Sequence, residues 1–198
     1  SGNLTTPDGA ISLPAARACA ETIVRLSSLE VNGFAMLRFC GLANVPANTP
    51  FFPAAYAQPG RPSFALAMEA ADLALQAFSH ASTFQEAASN LVLEIEKHSK
   101  QLEEIGNRLS QMYNYEFKGL DFTLAPFPAD AISIGRALES LGVKAFGKPG
   151  SLLASAFLTS TLDQAQFKRT GFNGLMLPVL EDSGLASSAS SGNLSVGD

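Results

Sequence analysis

The residues from Thr83 to Tyr113 carry the pattern that most constrains this chain, an apolar stripe that repeats at alternating spacings of four and three. This period corresponds to one side of an α-helix, and a helix of this length extends about 45 Å at 1.5 Å per residue. Oppositely charged side chains four residues apart occupy the outer face. The stripe predicts packing against another long helix, within the protein or in a homo-oligomer, through Leu91, Ile95, Leu102, Ile105 and Leu109.

A second feature is the stretch from Gly33 to Tyr56, where a nearly uninterrupted apolar run passes into a loop with three prolines. Such a run is typical of a strand buried on both faces, and proline cannot continue a ladder because it has no N–H. A buried strand that opens into a rigid polar loop is a common position for a site in α/β folds. We therefore predict that Asn44, Asn48 and Tyr56 bind a ligand. The alternative is that the asparagines only close Asx-turns.

The other segments alternate between helix and strand signals. Helices are predicted over 12–29, 63–78, 130–142 and 151–166, and further strands over 119–125, 143–146 and 172–180. This alternation indicates an α/β fold with a parallel-rich sheet. We predict a single domain over 1–185 and a flexible Ser/Gly-rich tail over 186–198.

Charge and cysteine content narrow the range of partners and compartments. Acidic residues outnumber basic ones, 18 to 13, and the sequence has no basic cluster, which argues against nucleic acid and anionic membrane surfaces as partners. No apolar run reaches the roughly 18 residues that a membrane span needs, and the first ten residues do not resemble a signal peptide. Cys19 and Cys40 lie in apolar segments, which favours reduced thiols and a cytoplasmic location.

Two acidic residues, Glu181 and Asp182, directly follow the last predicted strand. Carboxylates at a strand end serve as general bases or metal ligands in many sites, so we predict both as catalytic residues. The alternatives are that Asp182 caps a short helix and that Glu181 is a surface charge.

Asp121 alternates with apolar residues in the predicted strand 119–125, which places it on the opposite face of the sheet. A buried carboxylate needs a partner, and Arg38 in the apolar run after Gly33 is the candidate. We predict that Asp121 and Arg38 contribute to a ligand site, and the alternative is a structural pair.

Two weaker signals remain. Glu69 and Asp72 lie three residues apart and would share one helix face, where they either share a cation or form a solvated stripe. The loop Gly147–Ser151 (GKPGS) could hold an anion on its backbone N–H groups beside Lys148, although it is not a Walker A loop and a plain turn is the alternative. The two histidines are far apart in sequence, and no metal or cofactor is assigned.

Five runs, taken in order, resemble a known family: 9–21, 37–56, 117–128, 148–158 and 171–186. They are similar to the bacterial and archaeal family called domain of unknown function 711, over nearly the whole chain. The resemblance implies a partial barrel of the pyruvate formate-lyase-like (glycyl-radical-enzyme-like) type, and an internal fragment of a longer member. It implies no glycyl-radical chemistry, since the sequence has neither an adjacent cysteine pair nor a glycyl-radical loop, and it assigns no catalytic residues.

Two functions are compatible with these features. The first is a cytoplasmic enzyme that acts on a small anionic or carbonyl-containing metabolite at the carboxyl ends of the strands. It requires Asn44, Pro126 and Glu181 to lie at the same end of the sheet. The second is a non-catalytic module for ligand binding or oligomeric assembly, with the apolar stripe of the long helix as its interface.

Overall fold

The chain divides into two compact units, each described here by itself. The structure, a computed structural model, describes residues 2–6, 8–31, 35, 38–43, 45, 49–50, 55, 59–179, 181–195 and 197–198. Unit 1 comprises Ser1–Gly60 and unit 2 comprises Arg61–Asp198. The boundary between the units lies inside the region 1–185 that the sequence predicts to be one domain. An alternation of helices and strands does not show which of them contact each other, so it does not locate such a boundary.

The described residues of unit 1 form one α-helix and a pair of two-residue strands. Helix α1 spans Leu13–Leu26, and the strands β1 (Gly2–Asn3) and β2 (Gly41–Leu42) pair in parallel. The hydroxyl of Ser12 caps α1 by accepting a hydrogen bond from the Ala15 amide (3.3 Å), and Pro14 lies in the first turn, where its missing N–H costs no helical hydrogen bond.

Of the buried strand predicted after Gly33, residues 33, 34, 36 and 37 lie outside the described part of the chain, and residues 35 and 38–43 are described. Among the described residues only the pair Gly41–Leu42 is strand there. The predicted ligand residues Asn44, Asn48 and Tyr56 also lie outside the described residues. Both cysteines of unit 1 are free thiols, as predicted.

The sheet of unit 2 is a parallel pair, β3 (Ser63–Ala67) and β4 (Glu116–Asp121). A third extended segment, 168–170, joins β4 through hydrogen bonds from Leu120 N to Lys168 O (2.8 Å) and from Thr170 N to Leu120 O (3.0 Å). The three segments run in the same direction, so their carboxyl ends lie at one edge. The protein is therefore a mixed α/β protein with short parallel strand pairs.

Five α-helices complete the described part of unit 2: α2 (Ala71–Ser79), α3 (Phe84–Tyr113), α4 (Ile134–Glu139), α5 (Ser151–Leu162) and α6 (Ser183–Ser190). A single 3₁₀ turn, Asp130–Ile132, precedes α4. Helix α2 packs against α3 and α4, and α4 also packs against α5 and α6. Within the described residues, no helix combines the length and apolar character needed to cross a bilayer.

The helix predicted over 63–78 is wrong in its first part. Residues 63–67 form strand β3, and helix α2 begins only at Ala71. A short apolar run fits a buried strand as well as a helix. Residues 63–67 form a strand because β4 lies beside them from Glu116 onward. The first hydrogen bond between the two segments runs from Glu116 N to Pro62 O (2.9 Å).

The strands predicted over 143–146 and 172–180 are also not found in the described residues. The Phe146 amide donates to Glu139 Oε1 (3.0 Å), and the Phe172 amide donates to Asp121 Oδ2 (2.8 Å), so neither is available to a ladder. The tail predicted to be flexible from 186 instead begins within helix α6, where Ser188 is buried.

The long helix α3 is confirmed and has the caps that its sequence indicates. The hydroxyl of Thr83 accepts from Glu86 N (3.1 Å), and the Glu86 carboxylate accepts from Ser82 N (2.7 Å). This reciprocal pair is a capping box. The helix ends at Asn114, which adopts the left-handed conformation with φ 55°.

The buried face of α3 rotates along the helix. Leu91 and Ile95 are fully buried, as predicted, but the next buried positions are Ser99 and Gly106, and Ile105 is 42% exposed. A straight helix has 3.6 residues per turn, so a stripe with a 3.5 period turns away from its contact surface by about 20° per heptad. The second half of the predicted stripe therefore lies at the edge of the core.

Candidate functional site

Asp182 is buried, with 1% of its surface exposed, and it lies at the start of two helices. Its Oδ1 accepts from Leu185 N (2.8 Å), which makes it the N-cap of α6. The same carboxylate accepts from Ser133 Oγ (2.8 Å) and from Ile134 N (2.6 Å), at the start of α4. One negative charge thus stabilises the positive ends of two helix dipoles.

The two helix starts approach closely because both have glycine there. A Cβ atom at Gly135 would lie 2.9 Å from Leu185 N and 3.0 Å from Asp182 Oδ1. A Cβ atom at Gly184 would lie 2.6 Å from Ser133 Oγ. The N-cap role weighed for Asp182 is confirmed, and both of its carboxylate oxygens already accept hydrogen bonds from the protein.

Glu181 is exposed, and the described residues hold no group of three or more His, Cys, Asp and Glu side chains that could bind a metal ion. Its backbone amide donates to Pro178 O (3.0 Å). The arrangement agrees with the alternative weighed for Glu181, a surface charge beside a helix cap.

Asp121 ends β4 and is fully buried, as are its neighbours Leu120 and Phe122, so both faces of this strand end are covered. Its Oδ1 accepts from Thr123 N (2.9 Å), Thr123 Oγ1 (2.6 Å) and Asn173 N (3.1 Å), and its Oδ2 accepts from Phe172 N. Gly171, at φ 76°, lies against the carboxylate so closely that a Cβ there would overlap Oδ2. The loop 170–174 is therefore folded around this carboxylate.

The partner predicted for Asp121 is not the one observed. Arg38 Nη2 contacts Glu30 Oε1 (2.8 Å), an exposed pair within unit 1, and all four donors to Asp121 come from unit 2. Glu69 is exposed and precedes helix α2, which begins at Ala71, so it does not share a helix face with the half-buried Asp72 as the sequence predicts.

A concavity in the described residues lies in a different place, beside the loop that precedes α5. It has a volume of about 750 Å³, and we call it the loop cavity. Its apolar wall includes Phe146, Leu152, Leu177, Val179 and Leu194. Its polar lining includes Lys148, Ser151, Ser155, Ser195 and Asp198. The cavity thus joins the GKPGS loop to the segments before and after α6.

Hydrogen bonds hold the GKPGS loop in shape. The Ser151 hydroxyl donates to Lys148 O (2.7 Å) and accepts from Gly147 N (2.9 Å). Gly147 (φ 96°) and Gly150 (φ 104°) both have the left-handed conformation, which glycine adopts without strain. Because Gly150 is the N-cap residue of α5, the first turn of this helix has no side-chain cap.

Asp198 lies at the same cavity and is exposed. It accepts hydrogen bonds from Ser195 Oγ and Ser195 N, both at 2.7 Å. The Ser195 hydroxyl lowers the pKa of Asp198 below its ordinary value, with smaller contributions from the Ser195 amide and the positive charge of Lys148. The side chain therefore carries a negative charge at neutral pH.

Sequence comparison identifies the family. The profile described as Uncharacterised ACR (DUF711) matches residues 1–198. The chain belongs to this family. UPF0210 proteins of Actinobacillus succinogenes and Syntrophobacter fumaroxidans are 28% and 29% identical over 202 and 210 residues, which is 98% of this chain but 45% and 46% of theirs. The chain thus spans less than half the length of these curated relatives.

The family resemblance of the five runs is confirmed. The cavity of this DUF711 chain lies at the GKPGS loop, whose sequence is only a weak signal for an anion site. The sequence does not connect this loop with the last predicted strand, because Lys148 and Val179 are far apart along the chain. The tertiary structure brings the two segments together at the cavity. The signal that pointed towards it was the loop itself, two glycines and a lysine directly before a helix without a polar N-cap residue.

Proposed function

We propose that unit 2 binds a small organic anion with an apolar body in the loop cavity. The observation that carries this proposal is the combination, in one concavity, of an apolar wall with Lys148 and the uncapped start of α5. The ligand is a small anion, as in the enzyme hypothesis drawn from the sequence. The site is the loop cavity rather than the carboxyl ends of the strands. The proposal concerns binding and assigns no reaction.

The size and lining of the cavity support a ligand of this kind. Small-molecule sites typically have volumes of about 300–1,000 Å³, with mainly apolar walls and few polar groups. Leu152 is 84% exposed and Leu177 is 40% exposed, so apolar surface is left open to a ligand. Covering such surface contributes about 25 cal/mol per Å² removed from water.

The polar groups define where the anion would lie. Lys148 is exposed, and within the described chain no carboxylate lies within 4 Å of its ammonium group. The Ser151 amide donates to Lys148 O (3.1 Å), which leaves the N–H groups of Leu152 and Leu153 at the helix start, where the helix dipole favours a negative charge. By contrast, the carboxylates of Asp121 and Asp182 already accept four hydrogen bonds or more from the protein.

The test is a titration with 3-phenylpropionate, an anion with an apolar ring, followed by the amide resonances of 147–155. Saturable shifts confined to the cavity lining are expected. Lys148→Gln should weaken binding by about fivefold, since an exposed charge-assisted contact contributes about 1 kcal/mol. Lys144→Gln, an exposed lysine four residues earlier, is the matched control and should have no effect. Shifts that do not saturate, or equal losses in both variants, would overturn the proposal.

Assembly with a second copy of the chain is the second candidate function, and one observation favours it. The carboxyl-terminal half of α3 leaves apolar side chains exposed, Ile105 at 42% and Met112 at 64%, next to the exposed ring of Tyr113. Leu91 and Ile95, at the other end of the predicted interface, are buried in the core of unit 2 and are not available to another chain.

Ile105→Asp tests this assembly, because a charge in an apolar interface between copies would separate them. If α3 mediates association, sedimentation velocity should show a smaller species for Ile105→Asp. Leu93→Asp, which changes another exposed leucine on α3 (63%), should leave the size unchanged. A monomeric unmodified protein would rule out this candidate.

A pyruvate formate-lyase-like partial barrel is also part of the proposal for the family. It is supported by three neighbouring extended segments of unit 2 that run in parallel, β3, β4 and 168–170. A crystal structure of a longer family member would test it, since β3 and β4 should be neighbours within a larger parallel barrel. An open sheet in that structure would contradict it.

A cytoplasmic location is proposed as well, and the free thiols Cys19 and Cys40 support it because disulfides are rare in that compartment. Protein isolated without reductant and then denatured should titrate two thiols. A disulfide between them would contradict the proposal.

A further inference from the structure

The loop cavity is lined by a cation and an anion. Lys148 precedes α5 and Asp198 follows α6, so the two charged residues of the cavity are far apart in sequence. The pKa of Asp198 is lowered chiefly by the Ser195 hydroxyl, and the positive charge of Lys148 makes the smallest contribution. The two charges are not within 4 Å of each other, since neither belongs to an ion pair of the described residues.

Asp198 is held in place without being neutralised. Its Oδ2 accepts both hydrogen bonds from Ser195, and no described cation pairs with its carboxylate. A carboxylate retains further lone pairs when two hydrogen bonds share one oxygen. The side chain is therefore oriented by Ser195 and can still accept a hydrogen bond from a ligand.

We propose that the ligand of the loop cavity is a zwitterion, an α-amino acid with an apolar side chain. This inference rests on the proposed function and adds to it a second polar contact, between Asp198 and an ammonium group of the ligand. The carboxylate of the ligand lies at Lys148 and the start of α5, its ammonium group lies at Asp198, and its side chain covers the apolar wall at Leu152 and Leu177.

The charge pattern disfavours the two simpler ligand classes. A ligand with only an anionic group leaves the carboxylate of Asp198 without a counter-charge inside the same cavity, and like charges in one site repel. A ligand with only a cationic group meets Lys148 and the positive end of α5. A ligand with both charges matches both groups, and charge complementarity of this kind provides specificity more than affinity.

Three probes that share one phenyl ring separate these classes: L-phenylalanine with both charges, 3-phenylpropionate with the carboxylate only, and phenethylamine with the ammonium only. The protein is prepared with its carboxyl terminus blocked as an amide, so that Asp198 contributes only its side chain. Binding is measured from the amide resonances of 147–155 and 193–195. We expect L-phenylalanine to bind about tenfold more tightly than 3-phenylpropionate, as one additional charge-assisted hydrogen bond predicts.

The variant Asp198→Asn isolates the second pole. It should weaken L-phenylalanine to the level of 3-phenylpropionate and leave 3-phenylpropionate unchanged or slightly tighter. Asp163→Asn, an exposed aspartate at the other end of α5, is the matched control and should change neither affinity.

The outcomes distinguish a failure of the zwitterion proposal from a failure of the anion site itself. If 3-phenylpropionate binds through Lys148 as tightly as L-phenylalanine, and Asp198→Asn has no effect on either, the zwitterion is wrong and the anion site stands. If neither probe shifts the cavity resonances in a saturable way, both are wrong. Preferential binding of phenethylamine would also overturn both, because it would assign the site to a cation.

Discussion

Asp182 and Asp198 are two aspartates that bind a serine and backbone amides, and they lie in opposite environments. Asp182 accepts from the Ser133 hydroxyl and from the amides of α4 and α6, and is 1% exposed. Asp198 accepts from the hydroxyl and the amide of a single residue, Ser195, at the rim of the loop cavity, and is exposed. The donor types are the same, and their number and burial differ.

This difference separates a structural carboxylate from one that is available to a ligand. A buried carboxylate must have its oxygens hydrogen-bonded, because an unpaired charge in the core costs several kcal/mol. Once they are, as at Asp182, the group has little capacity left for substrate chemistry. An exposed carboxylate has no such requirement, so Asp198 retains capacity. Asp182, which the sequence predicts as catalytic, is the carboxylate whose two oxygens already accept hydrogen bonds within the fold.

The largest effect is expected for Asp182→Ala. The change leaves the amides of Ile134 and Leu185 and the Ser133 hydroxyl without an acceptor, and each buried unsatisfied group costs about 1–3 kcal/mol. We expect a loss of about 4 kcal/mol in the free energy of unfolding, measured with denaturant. Glu181→Ala, one residue earlier and exposed, should change it by less than about 0.5 kcal/mol. Equal effects at the two positions would break the comparison.

Asp121→Ala extends the comparison to the carboxyl end of β4. The amides of Phe172 and Asn173 lose their acceptor, and a loss of about 3 kcal/mol in the free energy of unfolding is expected. Hydrogen exchange at these two amides should accelerate more than elsewhere in unit 2. Asp163→Ala, at an exposed aspartate, serves as the control. A stable Asp121→Ala protein with a mobile 170–174 loop would show that this carboxylate orders only the loop.

Glycine-to-alanine changes sharpen the same contrast at smaller cost. In a helix interior, alanine is normally favoured over glycine by about 1 kcal/mol. At Gly135 the added Cβ would lie 2.9 Å from the backbone of Leu185, so the two helix starts must separate, and we expect a net loss of about 2 kcal/mol. At Gly197, beside Asp198, the nearest atom would be Ser195 Oγ at 3.7 Å, an ordinary contact. Thermal unfolding of both variants should show a lower Tm for Gly135→Ala alone.

The smallest effect is expected at Asp198 and is one of titration rather than stability. The folded-state pKa of Asp198 lies below its unfolded value, chiefly because of the Ser195 hydroxyl. Any stability that this shift contributes is present above the unfolded pKa and is lost as pH falls through the folded pKa. In Ser195→Ala the pKa should move up towards the ordinary value, as followed by the side-chain carboxyl resonance. An unchanged midpoint would mean that Ser195 does not hold this carboxylate.

Local chemistry was sufficient to predict several features from the residues alone. The long helix α3, helix α1 and the N-cap alternative for Asp182 all depend on interactions between residues within one turn of each other. Five matching runs were enough to identify the family.

What remained depended on which segments meet. Residues 63–67 form a strand because β4 lies beside them, and Phe172 and Asn173 lie in a loop because Asp121 accepts their amides. The second helix that Asp182 caps begins 48 residues away, and the loop cavity joins segments that the sequence separates. Periodicity and capping report interactions within a few residues, so they determined the helices of this protein. Long-range hydrogen bonds and burial decided its sheet, the role of its buried carboxylates and the place of its cavity.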